Sequence, residues 1–167
     1  QVEQFGNLTE PVRSPVNIHD VLDRARRSAL LGFGAQMRIV EDYDPSLPLA
    51  LGDKDQLLQV ILNLLKNASE AAGKAGGTIR LHTFFEHSFS MRRADGSGTS
   101  LPLQIEISDD GPGLPDAIRG DIFDPFVSGR ENGTGLGLAL VSKIISEHDG
   151  WISVDSVPGQ TTFRISL

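Results

Sequence analysis

Two asparagines stand four residues apart in the stretch 55–72, which reads DQLLQVILNLLKNASEAA. At about 100° per residue, most apolar residues of this stretch fall on one side of a helix. Asn63, Lys66, Asn67 and Glu70 fall on a narrow stripe opposite. Two amides in place of long charged side chains offer fixed hydrogen-bond donors and acceptors. Taken alone, the stripe also fits an ordinary solvent-facing surface, so its interpretation depends on what else the chain offers.

Asp109 is the second residue type that suggests chemistry. The strand LQIEISD alternates apolar and polar residues, and this period of two places Asp109 on the apolar face. A carboxylate on that face is costly without partners, and Gly111-Pro112-Gly113 follows directly. The pattern indicates an acceptor that points into a cleft lined by close backbone. An aspartate that merely caps the turn is the alternative.

Three glycines at alternate positions, Gly133, Gly135 and Gly137, open a predicted helix. They expose backbone N–H groups at a helix N-terminus, which favours an anion site. The spacing is neither the dinucleotide fingerprint nor a P-loop. Arg130 in the same loop is a candidate phosphate contact. A flexible linker with a solvated arginine is the alternative.

Smaller signals surround this loop. Phe123, Pro125 and Phe126 either anchor a mobile lid by burying one end of it or simply fill the core. Thr161 and Thr162 begin the last strand, where a hydroxyl can reach a ligand or a bound water, although threonine is common in strands.

The remaining sequence predicts the scaffold. We expect Asn17 or Asp20 to cap a first helix, Asp53 to cap the helix with the asparagines, and Gly73 to end it. The order of elements is not strictly alternating, which favours an α+β fold with a mixed sheet covered by helices on one face. The predicted helices are 17–31, 53–73, a weak one at 116–123, and 135–149; the predicted strands are 37–43, 78–86, 102–108, 151–156 and 161–167, with a polar hairpin loop at 87–100 and a loop at 124–134.

Composition limits the function. The chain has 167 residues, 39% of them hydrophobic, which suits one globular domain with a sizeable core. It has no cysteine, which excludes disulfides and thiolate metal sites. The net charge of −7 argues against nucleic-acid binding but allows an anionic small ligand. Residues 1–15 lack hydrophobic periodicity and are expected to be the end of a preceding element plus a linker, so that the chain is a fragment.

Five motifs occur in a characteristic order: NLLKNASEA, DDGPGL, IFDPF, GTGLGL and GQTTF. They resemble the N, G1, F, G2 and G3 boxes of the ATP-binding catalytic domain of sensor histidine kinases, over residues 16–167. The Val-Asn-Ile-His-Asp opening, the long hairpin and the short lid are most similar to the nitrogen-regulation kinases of the NtrB type. The resemblance implies the Bergerat (GHKL) fold, a two-layer α/β sandwich that binds ATP between sheet, helices and a mobile lid.

The resemblance implies a role for each matched residue. Asn67 would hold the Mg²⁺ that bridges the phosphates, and Asn63 is the polar residue one turn earlier. Asp109 would accept a hydrogen bond from the adenine amino group, with Gly111, Gly113 and the Thr161 hydroxyl near the base. The phosphates would lie against the lid residues Arg130, Gly133, Thr134, Gly135, Leu136 and Gly137.

Two departures from the family pattern affect this interpretation. Many histidine kinases carry lysine three residues after the magnesium asparagine, where this chain has Glu70; we expect Lys66 to supply that charge. The phosphoacceptor motif, a histidine followed by an acidic residue ahead of Asn-Pro, is absent. The resemblance therefore places the phosphorylated histidine on a dimerisation domain outside the chain, with residues 1–15 as the tail of its helix.

Relatives that hydrolyse ATP place a glutamate one turn before the magnesium asparagine, as general base for water. An amide such as Asn63 cannot accept that proton, which favours phosphoryl transfer to a neutral imidazole, aided by Arg130 and lid amides. The phosphoryl group would then pass to the receiver domain of an NtrC-like response regulator. We expect a cytoplasmic domain, monomeric by itself and homodimeric in the whole protein, without membrane or nucleic-acid contact. A hydrolysing ATPase and a nucleotide-sensing module without transfer activity remain the alternatives.

Overall fold

The computed structural model describes residues 9–92, 95–115, 122–123 and 137–167. Its described elements are the helices α1 (Ile18–Leu31), α2 (Lys54–Ala72) and α3 (Gly137–Glu147), and the strands β1 (Ser14–Val16), β2 (Arg38–Asp42), β3 (Ala50–Gly52), β4 (Thr78–Phe85), β5 (Ser90–Arg92), β6 (Gly98–Ser100), β7 (Leu103–Asp109), β8 (Trp151–Val157) and β9 (Gln160–Ser166). None of these helices is both long and apolar enough to cross a bilayer.

The main sheet has five strands in the order β2-β4-β7-β9-β8. Strands β2 and β4 are parallel, and the other neighbours are antiparallel. A parallel pair needs a long crossover, which here contains α2. One face of the sheet carries apolar side chains that form the core with the helices, among them Ile79, Leu81, Ile105, Ile107, Phe163 and Ile165. The predicted α+β fold with a mixed sheet covered on one face is confirmed.

The helices begin and end where their capping residues predict. The Asn17 side chain accepts the His19 N–H, and Gly32 follows the last residue of α1. The Asp53 carboxylate accepts the N–H groups of Asp55 and Gln56, which otherwise lack partners in the first turn of α2. Helix α2 packs between α1 and α3, so it is the central element of the helical layer.

Strands β5 and β6 pair as a separate two-stranded hairpin, which confirms the protruding hairpin predicted between β4 and β7. Another two-stranded pair was not predicted. Strand β1 lies antiparallel to β3, within the segment that the sequence suggested to be a linker. Three-residue strands next to prolines show no periodicity. This one is held by contacts with residues far along the chain, which are its pairing with β3 and the burial of Val16 in the core.

The segment before β1 also contacts both neighbouring helices. The Val12 N–H donates to Asp53 Oδ2 at 3.0 Å, at the start of α2. The Arg13 guanidinium donates to the Glu147 carbonyl at 2.6 Å and forms an ion pair with Asp149 at 3.1 Å. Residues 12–16 are therefore docked against the first turn of α2 and the last turn of α3.

His148 is buried and links the same two helix ends, the start of α2 and the end of α3. Its ring is buried, Nε2 lies 3.0 Å from the Asp53 N–H, and Nδ1 lies 2.8 Å from the Ile144 carbonyl. A backbone N–H can only donate, so Nε2 accepts and Nδ1 carries the proton. The histidine is thus a neutral structural link between α2 and α3.

Candidate functional site

The polar stripe of α2 divides into buried and exposed positions. Asn67 is only 8% exposed, and Asn63 is half-buried, whereas Lys66 and Glu70 are exposed. A solvent-facing stripe would leave Asn67 accessible, so that simpler interpretation is wrong for this residue. Burying an amide is costly unless it is bonded, and Asn67 does have an interaction partner. The inward position agrees with a role in a binding site.

Asn63 connects the two helices that should surround a ligand. Its Nδ2–H donates to the Gly137 carbonyl at 3.3 Å, and its Oδ1 accepts from the Gln59 side chain at 2.8 Å. Gly137 is the first residue of α3 and the last of the three glycines predicted to contact an anion. Both ends of the Asn63 amide are therefore engaged, and neither can serve as a general base.

Asp109 is the last residue of β7 and lies on the core-facing side with Ile105 and Ile107, as its position in the alternation predicted. Its side chain is 7% exposed. Oδ1 accepts the Gly111 N–H at 2.9 Å, so the carboxylate also caps its own turn. Burial raises the pKa of Asp109 above the ordinary value of 3.8, the Gly111 hydrogen bond opposes this rise, and the Asp110 charge adds to it. An ionised carboxylate can accept hydrogen bonds at both oxygens.

The two glycines after Asp109 are required by close contacts. Gly113 has φ +90°, and a Cβ there would lie 2.9 Å from the Val157 carbonyl oxygen. A Cβ on Gly111 would lie 2.9 Å from Asp109 Oδ1. The Gly159 N–H donates to the Gly111 carbonyl at 2.9 Å, so the turn between β8 and β9 supports this loop. An open cleft of about 400 Å³ lies between the loop, the end of α2 and Gly159.

Thr161 lies opposite Asp109 in the β7–β9 register and is buried. Its hydroxyl is 2.7 Å from the hydroxyl of Ser156, which also accepts the Leu114 N–H at 2.8 Å. Ser156 was not among the site residues predicted from the sequence. The signal was available, because Ser156 has the same strand parity as Ile152 and Val154 and is therefore a polar residue on an otherwise apolar face, as Asp109 is.

The phosphate end of the predicted site lies outside the described residues. This applies to Arg130, Gly133, Thr134, Gly135 and Leu136, to the predicted weak helix apart from its last two residues, to Pro125 and Phe126, and to the lid as a whole. Gly137 is described and begins α3. Phe123 packs edge-to-face on Phe163, with ring centroids 6.1 Å apart. Core packing is therefore part of its role.

The described residues contain no group of three or more histidine or acidic side chains suited to a metal ion. A buried amide oxygen, as in Asn67, is a suitable single ligand.

A two-layer fold with a buried asparagine on the central helix and a buried aspartate at a strand end defines a known class. The sequence profile of the histidine kinase-, DNA gyrase B- and HSP90-like ATPases matches residues 52–167, and the chain belongs to this family. The chain is 72% identical, over all of its 167 residues, to the sensory histidine kinase/phosphatase NtrB of Rhodobacter capsulatus. The resemblance to NtrB-type kinases is confirmed.

The chain spans about half the length of the curated relatives it matches, 47% for the Rhodobacter protein. Among solved structures, the mycobacterial sensor histidine kinase MprB superposes with a TM-score of 0.75 at 25% identity, covering 93% of this chain and 97% of that one. ShkA, solved at full length in complex with AMPPNP, gives a TM-score of 0.76 at 24% identity, covering 98% of this chain and 33% of that one. These structures confirm the fold of a histidine kinase catalytic domain.

Proposed function

We propose that this chain is the catalytic domain of an NtrB-type sensor histidine kinase. It binds ATP with Mg²⁺ and passes the γ-phosphoryl group to a histidine on a separate dimerisation domain, from which an aspartate of an NtrC-like receiver domain takes it. The proposal places the domain in the cytoplasm, monomeric by itself and dimeric through the domain that bears the histidine. The Rhodobacter relative, named a sensory histidine kinase/phosphatase, supports the kinase assignment.

The observation that carries the kinase proposal is the engaged amide of Asn63. Water must lose a proton as it attacks phosphorus, and a hydrolase supplies a base for that proton. Asn63 has no basic atom, and its two polar groups already bond to Gln59 and Gly137. A neutral imidazole nucleophile needs no such base. The reaction then depends on positioning and charge stabilisation, which this arrangement can supply.

The described residues support a division of the site into a base end and a phosphate end. At the base end, the Asp109 carboxylate accepts from an exocyclic amino group, beside Gly111, Gly113 and Thr161. At the phosphate end, Asn67 supplies an oxygen ligand to Mg²⁺, which would neutralise phosphate charge when bound. Asn63 holds the first residue of α3, next to the predicted glycine loop.

We assign the phosphate contacts to Arg130, Gly133, Thr134, Gly135, Leu136 and Gly137, with Lys66 as an added positive charge. Backbone N–H groups ahead of a helix bind anions, and the start of α3 at Gly137 supports this part of the proposal.

The test is phosphotransfer from labelled ATP to an acceptor domain that carries the histidine, taken from the Rhodobacter relative. We expect acid-labile, base-stable label on the acceptor with this chain and Mg²⁺, and none with Asn67→Ala. The chain alone should release little phosphate. Release by the chain alone at about 1 s⁻¹ or faster, typical of enzymes, would instead establish a hydrolase.

A nucleotide-sensing module is the second outcome that the same experiment distinguishes. It would bind ATP with normal affinity but leave the acceptor histidine unlabelled, even with Mg²⁺ and excess acceptor. Adding an NtrC-like receiver domain then tests the relay, since label should move from the histidine to the receiver.

A further inference from the structure

Ser156, Thr161 and Asp109 form a row of polar side chains across three neighbouring strands. Ser156 pairs with Thr161 in the β8–β9 register, and Thr161 pairs with Asp109 in the β7–β9 register. Ser156 is 5% exposed and Thr161 is 4% exposed. The row lies on the helix-covered face, at the strand ends where the proposed base site is located.

The hydrogen bonds indicate which hydroxyl donates. Ser156 Oγ accepts the Leu114 N–H at 2.8 Å. The Ser156 and Thr161 hydroxyl oxygens lie 2.7 Å apart, and either can donate to the other. Accepting the Leu114 bond polarises the serine O–H and strengthens it as a donor, which favours the direction from Ser156 to Thr161. The Thr161 proton is then not used within the pair, and it is available on the side of the row where Asp109 lies.

We propose that Ser156 is a specificity-determining positioning residue of the nucleotide site. It directs the Thr161 proton toward the base and, through Leu114, holds the loop that carries Gly111 and Gly113. The inference rests on the proposed function, since it concerns how the same site selects its base.

The order of hydrogen-bond acceptor and donor offered by Asp109 and Thr161 is complementary to one type of purine edge. Asp109 offers an acceptor, and Thr161, directed by Ser156, offers a donor beside it, either directly or through one bound water. Adenine presents an amino donor next to a ring-nitrogen acceptor, which is complementary. Hypoxanthine and guanine present a carbonyl acceptor next to a ring N–H donor, which is the opposite order and leaves both protein groups mismatched.

The experiment compares MgATP and MgITP binding to the full 167-residue chain by calorimetry. Ser156→Ala should lower the preference for ATP over ITP by about five- to tenfold, the effect of about one lost hydrogen bond. In a double-mutant cycle with Thr161→Val, the two changes should not add, because Ser156→Ala acts only by leaving the Thr161 hydroxyl undirected and Thr161→Val removes that hydroxyl altogether. Additive losses would overturn the link between the two hydroxyls.

Thr162→Val is the matched control. Thr162 is the next residue of β9, and its hydroxyl bonds to Ser108 at 2.8 Å on the opposite face of the sheet. This variant should leave the ATP preference unchanged. Ser156→Cys serves if Ser156→Ala does not fold, because cysteine has nearly the same shape but is a much weaker donor and acceptor, and it should lose most of the preference.

The outcomes separate this inference from the proposed function. A wild-type chain that binds neither nucleotide contradicts the proposed function itself. A wild-type chain that prefers ATP, with the same preference in folded Ser156→Ala or Ser156→Cys, leaves the function in place and refutes the role of Ser156.

Discussion

Asp109→Asn preserves the size and shape of the side chain while removing its charge. Oδ1 can still accept the Gly111 N–H, now 2.9 Å away. The amide nitrogen then takes the place of the second carboxylate oxygen, so an acceptor becomes a donor. The variant should therefore change two separate properties, the pH dependence of folding and the affinity for the adenine base.

The effect on stability follows from the direction of the pKa change. Burial raises the pKa of Asp109 in the folded protein above 3.8, its ordinary value and the one expected in the unfolded chain. Between these two pKa values the folded state binds more protons than the unfolded state. The wild type therefore loses stability as the pH rises through that window, and it does not regain this stability at higher pH. The Asp109→Asn variant has no carboxyl group to ionise at this position, so it does not lose stability in this way. The stability of the variant relative to the wild type should increase with pH, from below 3.8 to neutrality, in urea unfolding.

The effect on binding has the opposite sign. An amino donor of adenine facing an amide donor loses its hydrogen bond and leaves a buried group unpaired, which costs about 1–3 kcal/mol. This corresponds to roughly 5- to 150-fold weaker MgATP binding by calorimetry. ITP carries a carbonyl acceptor in place of the amino group, and this acceptor can pair with the new amide donor. The affinity of the variant for ITP should therefore fall less than its affinity for ATP, or rise.

Asp110→Asn is the matched control, one residue further along the chain. Asp110 is exposed, and its Oδ1 accepts the Thr78 N–H at 3.0 Å, a bond that asparagine can keep. This variant should leave the affinity for MgATP unchanged. Because the Asp110 charge is the smallest of the causes that act on the Asp109 pKa, it should change the pH dependence of stability much less than Asp109→Asn does. If Asp109→Asn bound MgATP as tightly as the wild type, or its relative stability did not vary with pH, the assignment of a buried, charge-bearing acceptor would be wrong.

Three further changes test other parts of the structure. Asn67→Ala should abolish the gain in ATP affinity that Mg²⁺ provides, and titrations with and without the ion would refute its role if that gain persisted. His148→Leu leaves the Asp53 N–H without an acceptor and should destabilise the fold by about 1–3 kcal/mol, or roughly 2–12 °C in melting temperature. His148→Gln keeps an acceptor and should lose less than half of that, and equal losses in the two variants would contradict the hydrogen-bond argument. Gly113→Ala should cost about 1–2 kcal/mol for the left-handed backbone alone, with further loss from the Val157 contact, and unchanged denaturant unfolding would contradict this.

Much of the scaffold was predictable because its signals are local. The caps Asn17 and Asp53 identified two helix starts, and Gly73 identified a helix end. Strand alternation placed Asp109 on the buried face from a single residue's parity. Such features depend on neighbours within a few positions of sequence.

Other features depend on residues far apart in sequence. Strand β1 depends on its pairing with β3 and on the burial of Val16 in the core, and the exposure of Asn67 depends on how α2 packs between two other helices. Helical projection alone therefore placed Asn67 on the same stripe as the exposed Lys66. Ser156 was missed for a different reason, since parity alone would have identified it as a polar residue facing the core.

The docking of residues 12–16 has a mechanical consequence. The segment is attached to the first turn of α2 through Asp53 and to the last turn of α3 through Arg13. At the other end of α3, Gly137 accepts a hydrogen bond from Asn63, which lies in the middle of α2. A displacement of the chain ahead of β1 is thus transmitted to both helices together. The asparagines and the start of the glycine-bearing helix would shift as one unit, with their spacing preserved.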